Sequence, residues 1–538
     1  MACAWQWILI RIALFESTLA TLAPFVQQRI MQTPRTFLAL LLALLAQILM
    51  AAPASAKWLC ANTKHFVIYS SGSASELQEF GANLERFDAL MRLKFSVEPD
   101  TNPNRLTVYF LSSQEDVERL AATTVKNAAG FYSPRKEGSF AVANRERATG
   151  KFDLGGMTVL FHEYAHHFMF RNFSYAYPAW YVEGFAEYYS TVEFKKDGNW
   201  NLGKPAYHRA YGLIEAQKLP IARILFGDAT NLSAEQADVF YGRSWLLVHM
   251  LSSKPEYNGK LVAYFSAIKA GKSEQDAATE VFGDLKAFDK ALDAYLNGKL
   301  VFWSSRNPLP VDTTMNVSEL DSLASELIGL HLKRLLGKEP TKTLGALRLL
   351  AQANPKRADI WYELALAERV TVKTASKAEV ELAEKTSEAA VDTALAADPK
   401  HARANVLKAN ILFKRLHDAG DENPAHWSKA RSYVVAANAV AVDDPLVLLE
   451  WFESFAMQGR TPSKTAHAAL ARAFELEPEV AEVRVKYALD LAQQGKFDDA
   501  IHLVEFLAHD PHNSAVGKRL LEELQRQKAR AAGSQPTN

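Results

Sequence analysis

This chain of 538 residues has few cysteines, no excess of either charge and few long apolar runs. Cys3 and Cys60 are its only cysteines, which excludes a disulfide framework and a cysteine metal site. Lys and Arg number 61, as do Asp and Glu, and no basic tract breaks this balance, so charge gives no argument for a nucleic-acid partner. What remains is a globular composition, 49% apolar and 23% charged, at a length typical of three or so domains.

The longest apolar run, Phe37–Met50, lies near the N terminus. At about 14 residues it is shorter than the roughly 20 that a membrane-spanning helix needs. Arg35 precedes the run, and Ala54–Ala56 follows it as a small-x-small cleavage site. This order is typical of a secretory signal peptide, so we expect residues 1–56 to be an upstream segment and signal peptide whose true start is Met31. The mature protein is then exported, periplasmic or secreted, with no stable membrane span.

A single decapeptide, Leu160–Met169, contains the pattern His-Glu-x-x-His. On a helix, His162 and His166 project from one face and can bind the same metal ion. Glu163 lies beside the first histidine, where its carboxylate could activate a water molecule on that metal. Glu183, seventeen residues after His166, offers a third ligand. The surrounding helix is largely apolar and should be buried, and ionisable groups are rarely buried without a partner such as a metal.

The segment around that third ligand has a pattern of its own, W-x-x-E-G-x-A-x-Y. Its members are Trp180, Glu183, Gly184, Ala186 and Tyr188. An HExxH helix followed by this pattern resembles the gluzincin, or peptidase MA-like, zinc metallopeptidases. Gly184 should allow this helix to approach its neighbour closely.

The resemblance implies a role for each of these residues. It makes His162, His166 and Glu183 the ligands of one Zn²⁺ per chain and makes Glu163 the general base. Glu187 would then hold a ligand histidine in its tautomer from behind the metal. The aminopeptidase segment G-x-M-E-N is missing, so the resemblance does not extend to aminopeptidase activity.

A later helical segment adds candidates with open alternatives. Tyr241 could donate a hydrogen bond to the developing oxyanion of the substrate, or it could be an aromatic packing residue. Arg243 could supply charge for the same purpose. His249 fits a satisfied core histidine better than a ligand, and His167 fits the flank of its helix.

The fold expected from these patterns is α+β. Strands over residues 66–70 and 106–111, and a helix over 77–93, predict a small α/β layer before residue 150, and residues 152–300 read as mostly helical. Together they give a gluzincin-like metallopeptidase domain over 57–305. Residues 306–350 are expected to be a helical linker.

The C-terminal part differs from the rest of the chain in composition and in the spacing of its prolines. Prolines recur at chain corners, and the last three are 33 residues apart: Pro355, Pro399, Pro445, Pro478 and Pro511. Alanine-rich amphipathic pairs lie between the corners, which predicts TPR-like helical repeats over 351–528, an all-α solenoid. A helical bundle of another kind is the alternative. Residues 529–538 are expected to be a disordered tail.

The combined prediction is an exported zinc metallopeptidase that hydrolyses peptide bonds by metal-activated water. Its expected partners are a protein or peptide substrate and a protein that binds the repeats, with no nucleic acid. Two alternatives remain open. One is an inactive or weakly active repeat scaffold or assembly factor of the cell envelope, and the other is a zinc amidase acting on cell-wall peptide.

Overall fold

The computed structural model describes residues 57–98, 104–120, 129–173, 177–227, 232–369, 376–508 and 514–533. All the elements below belong to the compact unit that begins at Trp58. The predicted signal peptide lies outside the described residues. No helix in the described ranges is both long and apolar enough to cross a membrane.

Nine strands and twenty α-helices make up the described part of the chain. The strands are β1 Leu59–Asn62, β2 Phe66–Ser70, β3 Leu106–Leu111, β4 Gly130–Ser133, β5 Phe140–Asn144, β6 Glu193–Phe194, β7 Trp200–Leu202, β8 Trp303–Ser304 and β9 Asn316–Glu319. The helices are α1 Ala74–Phe95, α2 Gln114–Leu120, α3 Gly156–Asn172, α4 Ala179–Ser190, α5 Ile221–Leu225, α6 Ala234–Ser253, α7 Lys260–Lys269, α8 Glu274–Phe282, α9 Leu285–Leu296, α10 Ser322–Leu335, α11 Pro340–Ala353, α12 Ala358–Glu368, α13 Lys377–Ala397, α14 Ala402–Asp418, α15 Pro424–Asn438, α16 Pro445–Met457, α17 Lys464–Leu476, α18 Ala481–Gln493, α19 Phe497–Ala508 and α20 Ser514–Gly533.

Helix starts follow local side-chain chemistry. Ser73 before α1 and Ser233 before α6 each accept a hydrogen bond from a first-turn backbone N–H, and a Glu or Gln three residues on completes a capping box. Pro445 is the first residue of α16, where its missing N–H costs nothing. These signals fix helix starts independently of tertiary packing.

The main sheet has six strands in the order β4-β5-β3-β2-β1-β9. Strands β2, β3 and β5 are parallel, whereas β4, β1 and β9 pair antiparallel with their neighbours. Strand β5 lies inside the sheet, because β4 folds back on it as a hairpin and takes the edge. Helix α3 follows β5 and packs against β4 and β5.

The two faces of the sheet are covered by different helices, as the alternation of side chains along a strand requires. Phe66 and Val108 belong to the large core formed with α1 and α3. Tyr109 and Leu111 belong to a second cluster, on the other face, which includes Leu332 of α10. The sheet is therefore the middle layer, with α1 and α3 on one face and α10 on the other.

The C-terminal part is an all-α array of helix pairs. Helix α12 packs on α13, α14 on α15, α16 on α17 and α18 on α19, and apolar clusters are buried along the array. The corner prolines lie at turns between helices, as the sequence predicts, except that Pro445 opens a helix and Pro511 lies outside the described residues. The repeats are TPR-like in this sense: successive helix-turn-helix units that bury their apolar faces against each other.

Two expected boundaries need correction. Within the predicted linker 306–350, Asn316–Glu319 forms the sixth strand of the sheet by pairing with β1. This pairing joins segments about 250 residues apart, and no local pattern reveals it. The predicted tail over 529–538 is helical as far as Gly533, because α20 continues into it.

The repeats also contact the six-stranded sheet and α3 near their far end. The turn between α17 and α18 lies against α3 and the β4–β5 hairpin. Arg171 of α3 donates a hydrogen bond to the carbonyl oxygen of Leu476 at 2.6 Å, and the Ser139 hydroxyl donates to Glu479 at 3.1 Å. Since Ser139 and Glu479 are both buried, this contact is part of the protein's interior.

Glu477 in this turn should make the stability of the chain depend on pH. Burial raises the pKa of its carboxyl to about 9, and the neighbouring Glu479 adds to the rise. A carboxyl whose pKa is raised on folding contributes its full stability below the unfolded value of about 4.5. This contribution is lost progressively as pH rises from 4.5 through 9. We expect Glu477→Gln, which keeps a hydrogen-bonding side chain near Asn104, to raise the free energy of unfolding by on the order of 1–3 kcal/mol at pH 8.

The measurement is chemical denaturation of both proteins at several pH values between 5 and 9. The advantage of the variant should grow with pH and shrink toward pH 5. Glu475→Gln, at an exposed carboxylate two residues away, is the matched control and should show no such trend. A difference that is constant across this pH range would contradict the prediction.

Candidate metal centre

Helix α3 is held close to the sheet by its first residue. A Cβ atom on Gly156 would lie 1.8 Å from the carbonyl oxygen of Asn144 at the end of β5, so only glycine fits there. The helix therefore starts directly against the sheet. The side chains of His162 and His166 remain 15% and 12% exposed, and with Glu163 they lie on one side of the helix.

Helix α4 supplies the carboxylates and reaches α6 through a glycine. Glu183 and Glu187 are both buried. A Cβ atom on Gly184 would lie 2.4 Å from the carbonyl oxygen of Ser244, so α4 and α6 approach as closely as the sequence predicts. Helix α4 also packs along α3, which places Glu183 beside the two histidines.

Three donor atoms meet between α3 and α4. The Nε2 atoms of His162 and His166 are 3.0 Å apart, and each lies 3.4 Å from Oε2 of Glu183. Ligands about 2.0–2.1 Å from a tetrahedral zinc ion are about 3.3 Å from one another. Two imidazole nitrogens and one carboxylate oxygen at this spacing fit a catalytic zinc site, which takes three protein ligands.

Glu187 lies behind this triangle. Its Oε1 is 3.3 Å from Nδ1 of His162, so the second ring nitrogen faces a carboxylate while Nε2 faces the other donors. His208 at 2.9 Å and Arg209 at 2.6 Å also contact Glu187. A carboxylate in this place fixes the tautomer and orientation of a metal-binding histidine.

The charges around the triangle favour a cation at its centre. Burial would lower the pKa of the His162 imidazole, but hydrogen bonds to Glu183 and Glu187 outweigh it and raise the pKa to about 10. Burial would likewise raise the pKa of Glu183, yet the two histidines hold it well below its usual range. Two buried, ionised carboxylates therefore attract positive charge to this point, and a divalent cation would supply it.

Tyr241 of α6 lies at the edge of the same site. Its ring centre is 6.2 Å from that of His162, and the Arg209 guanidinium lies 4.9 Å from the Tyr241 ring centre. The Glu183 carboxylate is the largest cause that raises the pKa of Tyr241 well above its usual value, and burial adds to it. The hydroxyl therefore stays protonated and able to donate a hydrogen bond.

Three other sequence candidates lie away from the triangle. Arg243 is buried and paired with Asp289 and Asp293, so it is a structural residue and supplies no charge to the site. His249 is a satisfied core histidine, as predicted: its ring contacts the Tyr295 hydroxyl and a backbone carbonyl. His167 is buried beside the Tyr132 hydroxyl, so it is an interior residue of the interface with the repeats.

A second group with metal-ligand chemistry lies under α3. His65, Glu85 and Asp88 have ligand atoms within 4.8 Å of one another. His65 is 2.7 Å from Glu85, whereas Asp88 accepts hydrogen bonds from Arg92 and from the Tyr164 hydroxyl at 2.6 Å. Both carboxylates already have hydrogen-bond partners within the chain, and the Tyr164 contact anchors α3 to α1.

His208, Arg209 and Asp238 complete the surroundings of the site and escape prediction from sequence. Arg209 bridges Glu187 and Asp238, at 2.6 Å and 3.0 Å. His208 and Arg209 belong to a short 3₁₀ turn without helical periodicity or a recognisable motif. Only the fold brings this turn to α4.

Comparison with protein-family models and with curated proteins finds no match for the chain. Among solved structures, the chain is similar to TTC0263, a thermophilic TPR protein of Thermus thermophilus. The sequence identity is 18%, the TM-score is 0.30, and the match covers 38% of this chain and 100% of that chain. PilF of Pseudomonas aeruginosa is similar at 16% identity and a TM-score of 0.30, over 39% of this chain and 89% of that chain.

Proposed function

We propose that the chain is an exported zinc-dependent peptidase of the gluzincin type, with repeats that bind a protein partner or recruit the substrate. The observation that carries the proposal is the triangle of His162, His166 and Glu183, whose donor atoms are 3.0–3.4 Å apart. Glu163 lies next to His162 in the sequence, and Tyr241 lies across the site. An acid–base group and an oxyanion donor beside three ligands make a complete hydrolytic arrangement.

The residues of the chain would divide the reaction as follows. Zinc, when bound, supplies a Lewis acid that polarises the scissile carbonyl and acidifies water. Glu163 takes the proton from the attacking water and delivers it to the leaving amine. The Tyr241 hydroxyl donates a hydrogen bond to the carbonyl oxygen as it gains negative charge. Glu187, Arg209 and His208 hold the ring of His162 in place.

A scaffold function in which the repeats act without catalysis is the second candidate. The observation that favours it is the helix-pair array itself, since such arrays present long surfaces to other proteins. A decayed enzyme would be expected to lose at least one of His162, Glu163, His166 and Glu183. All four are present, which favours the enzyme. A catalytically dead, zinc-loaded chain that still performs the cellular function would support the scaffold instead.

Export is the part of the proposal that rests on sequence alone. Arg35, the apolar run Phe37–Met50 and the small residues Ala54–Ala56 support it. A periplasmic or secreted location would suit a chain whose described part contains one cysteine, the buried Cys60.

The direct test of the site is its zinc content. We expect the purified chain to hold about one zinc ion, because three ligands at this spacing suffice for a catalytic site. His162→Ala, His166→Ala and Glu183→Ala should each lose most of it, measured by plasma emission spectrometry after dialysis. His426→Ala, at an exposed histidine of the repeats, is the matched control and should keep the zinc. Ligand variants that retain full zinc would contradict the assignment.

A further inference from the structure

The β4–β5 hairpin of the six-stranded sheet lies against one face of the repeats. This inner face is formed by the first helix of successive pairs, α12, α14, α16 and α18. The loop of residues 134–139 joins the two strands, and Lys136 at its tip bonds to Glu482 of α18 at 2.9 Å. Arg135 and Gly138 line, with Tyr362 and Arg403 of α12 and α14, a cavity of about 650 Å³.

The tip of the hairpin occupies an acidic cluster, defined here as Glu450, Glu453 and Glu482. Lys486 also bonds to Glu453 and lies 3.6 Å from Glu482. Partial burial would lower the pKa of Lys136, but the three carboxylates raise it above its usual value. Glu450 is buried, which raises its pKa to about 7, and it accepts hydrogen bonds from Asn410. The two lysines bond to the other two carboxylates, Lys136 to Glu482 and Lys486 to Glu453, so this part of the inner face is suited to hold a lysine side chain.

Beside the acidic cluster, the inner face continues into an apolar groove of about 380 Å³. Glu482 and Lys486 line one side of it, so the groove and the cluster are continuous. The apolar lining is Ala481, Val485, Leu489, Leu507 and Val516. Leu489 and Val516 are 40% and 57% exposed, and none of the residues that line this groove comes from the hairpin.

We propose that the inner face at Glu453, Glu482 and the adjoining groove binds an extended protein segment that carries a lysine with apolar residues two positions away. The lysine enters the acidic cluster in place of Lys136, and an apolar side chain fills the groove. In an extended segment, residues two apart point to the same side and lie about 6.6 Å apart. A lysine and an apolar side chain in that arrangement can enter the acidic cluster and the groove that adjoins it. The hairpin of the chain is the resident occupant and competes with the partner. This inference concerns the repeats and does not depend on the zinc site.

The test is fluorescence anisotropy with a labelled, end-blocked peptide, Gly-Leu-Ser-Lys-Ser-Leu-Gly. We expect weak binding to the full chain and at least tenfold tighter binding to the full chain with Lys136→Ala, because the variant removes the internal competitor. The same peptide with norleucine for lysine should lose the gain, since norleucine keeps the length without the charge. The peptide with serine for both leucines should bind at least threefold more weakly. Lys64→Ala, at an exposed lysine outside the hairpin, is the matched control and should bind like the unchanged chain.

Variants of the inner face provide the second measurement. Glu453→Gln together with Glu482→Gln, in the Lys136→Ala background, should abolish binding, and Leu489→Glu should weaken it. Circular dichroism melting identifies any variant that fails to fold. Because Leu489 is exposed, Leu489→Glu should leave the fold intact and still test the groove. Equal affinity of the unchanged chain and the Lys136→Ala chain, no binding to either, or equal binding of the norleucine peptide would each overturn the proposal. If only the serine peptide bound as tightly as the leucine peptide, the groove would not be the site of the apolar side chain.

Discussion

Replacing Glu163 with glutamine is expected to leave the zinc content unchanged and to slow peptide hydrolysis by roughly 10²–10⁴-fold. The amide is nearly isosteric with the carboxylate but cannot accept the proton of the attacking water. Glu163 is not one of the three residues whose donor atoms meet at 3.0–3.4 Å, so the metal should remain bound. The measurement is turnover of a broad library of unstructured peptides, alongside the zinc content of the same sample.

Glu256→Gln is the matched control, because Glu256 is an exposed carboxylate remote in sequence from α3 and α4. It should keep both zinc and turnover. Full activity of a zinc-loaded Glu163→Gln protein would refute the assigned role. No turnover of any peptide by the zinc-loaded unchanged chain would instead favour the scaffold function or the amidase alternative, which a cell-wall peptide substrate would distinguish.

Helical geometry predicts two pairs of site residues, whereas the meeting of these pairs at one point was implied by the resemblance. His162 and His166 share a face because they are four residues apart, and Glu183 and Glu187 do so for the same reason. The structure brings both pairs together, at 3.4 Å between Glu183 and each histidine. The close approach of α4 to its neighbour at Gly184 was also predicted, because glycine has no side chain to hold the helices apart.

What the sequence could not show depends on contacts between distant segments. The sequence of Asn316–Glu319 has no local pattern that predicts its pairing with β1. The turn that contains Glu477 resembles the other turns between repeats in its sequence. The expected linker therefore proved to be partly a strand of the sheet. A local pattern specifies an element, whereas its partner is chosen by packing over the whole chain.

These long-range contacts lead to the second large effect. A chain that ends at Asn307 is expected not to fold, although it contains His162, Glu163, His166 and Glu183. It would lose β9 from the sheet and would lose Leu332, which covers Tyr109 and Phe140 on the face opposite α3. A fully buried side chain of this size contributes about 1.5–3 kcal/mol, and several are uncovered at once. Their sum is comparable to the whole stability of a typical domain, about 5–15 kcal/mol.

Truncations at two further points separate the causes. A chain ending at Leu336 keeps β9 and α10, so it should regain part of the stability measured by thermal melting. It still lacks the turn that contacts Arg171 and Ser139, so it should melt below the full chain. A chain ending at Gly533 should melt like the full chain. A soluble, monomeric chain ending at Asn307 that binds zinc and melts with the full chain would show that the repeats and the sheet are independent, contrary to the buried contacts between them.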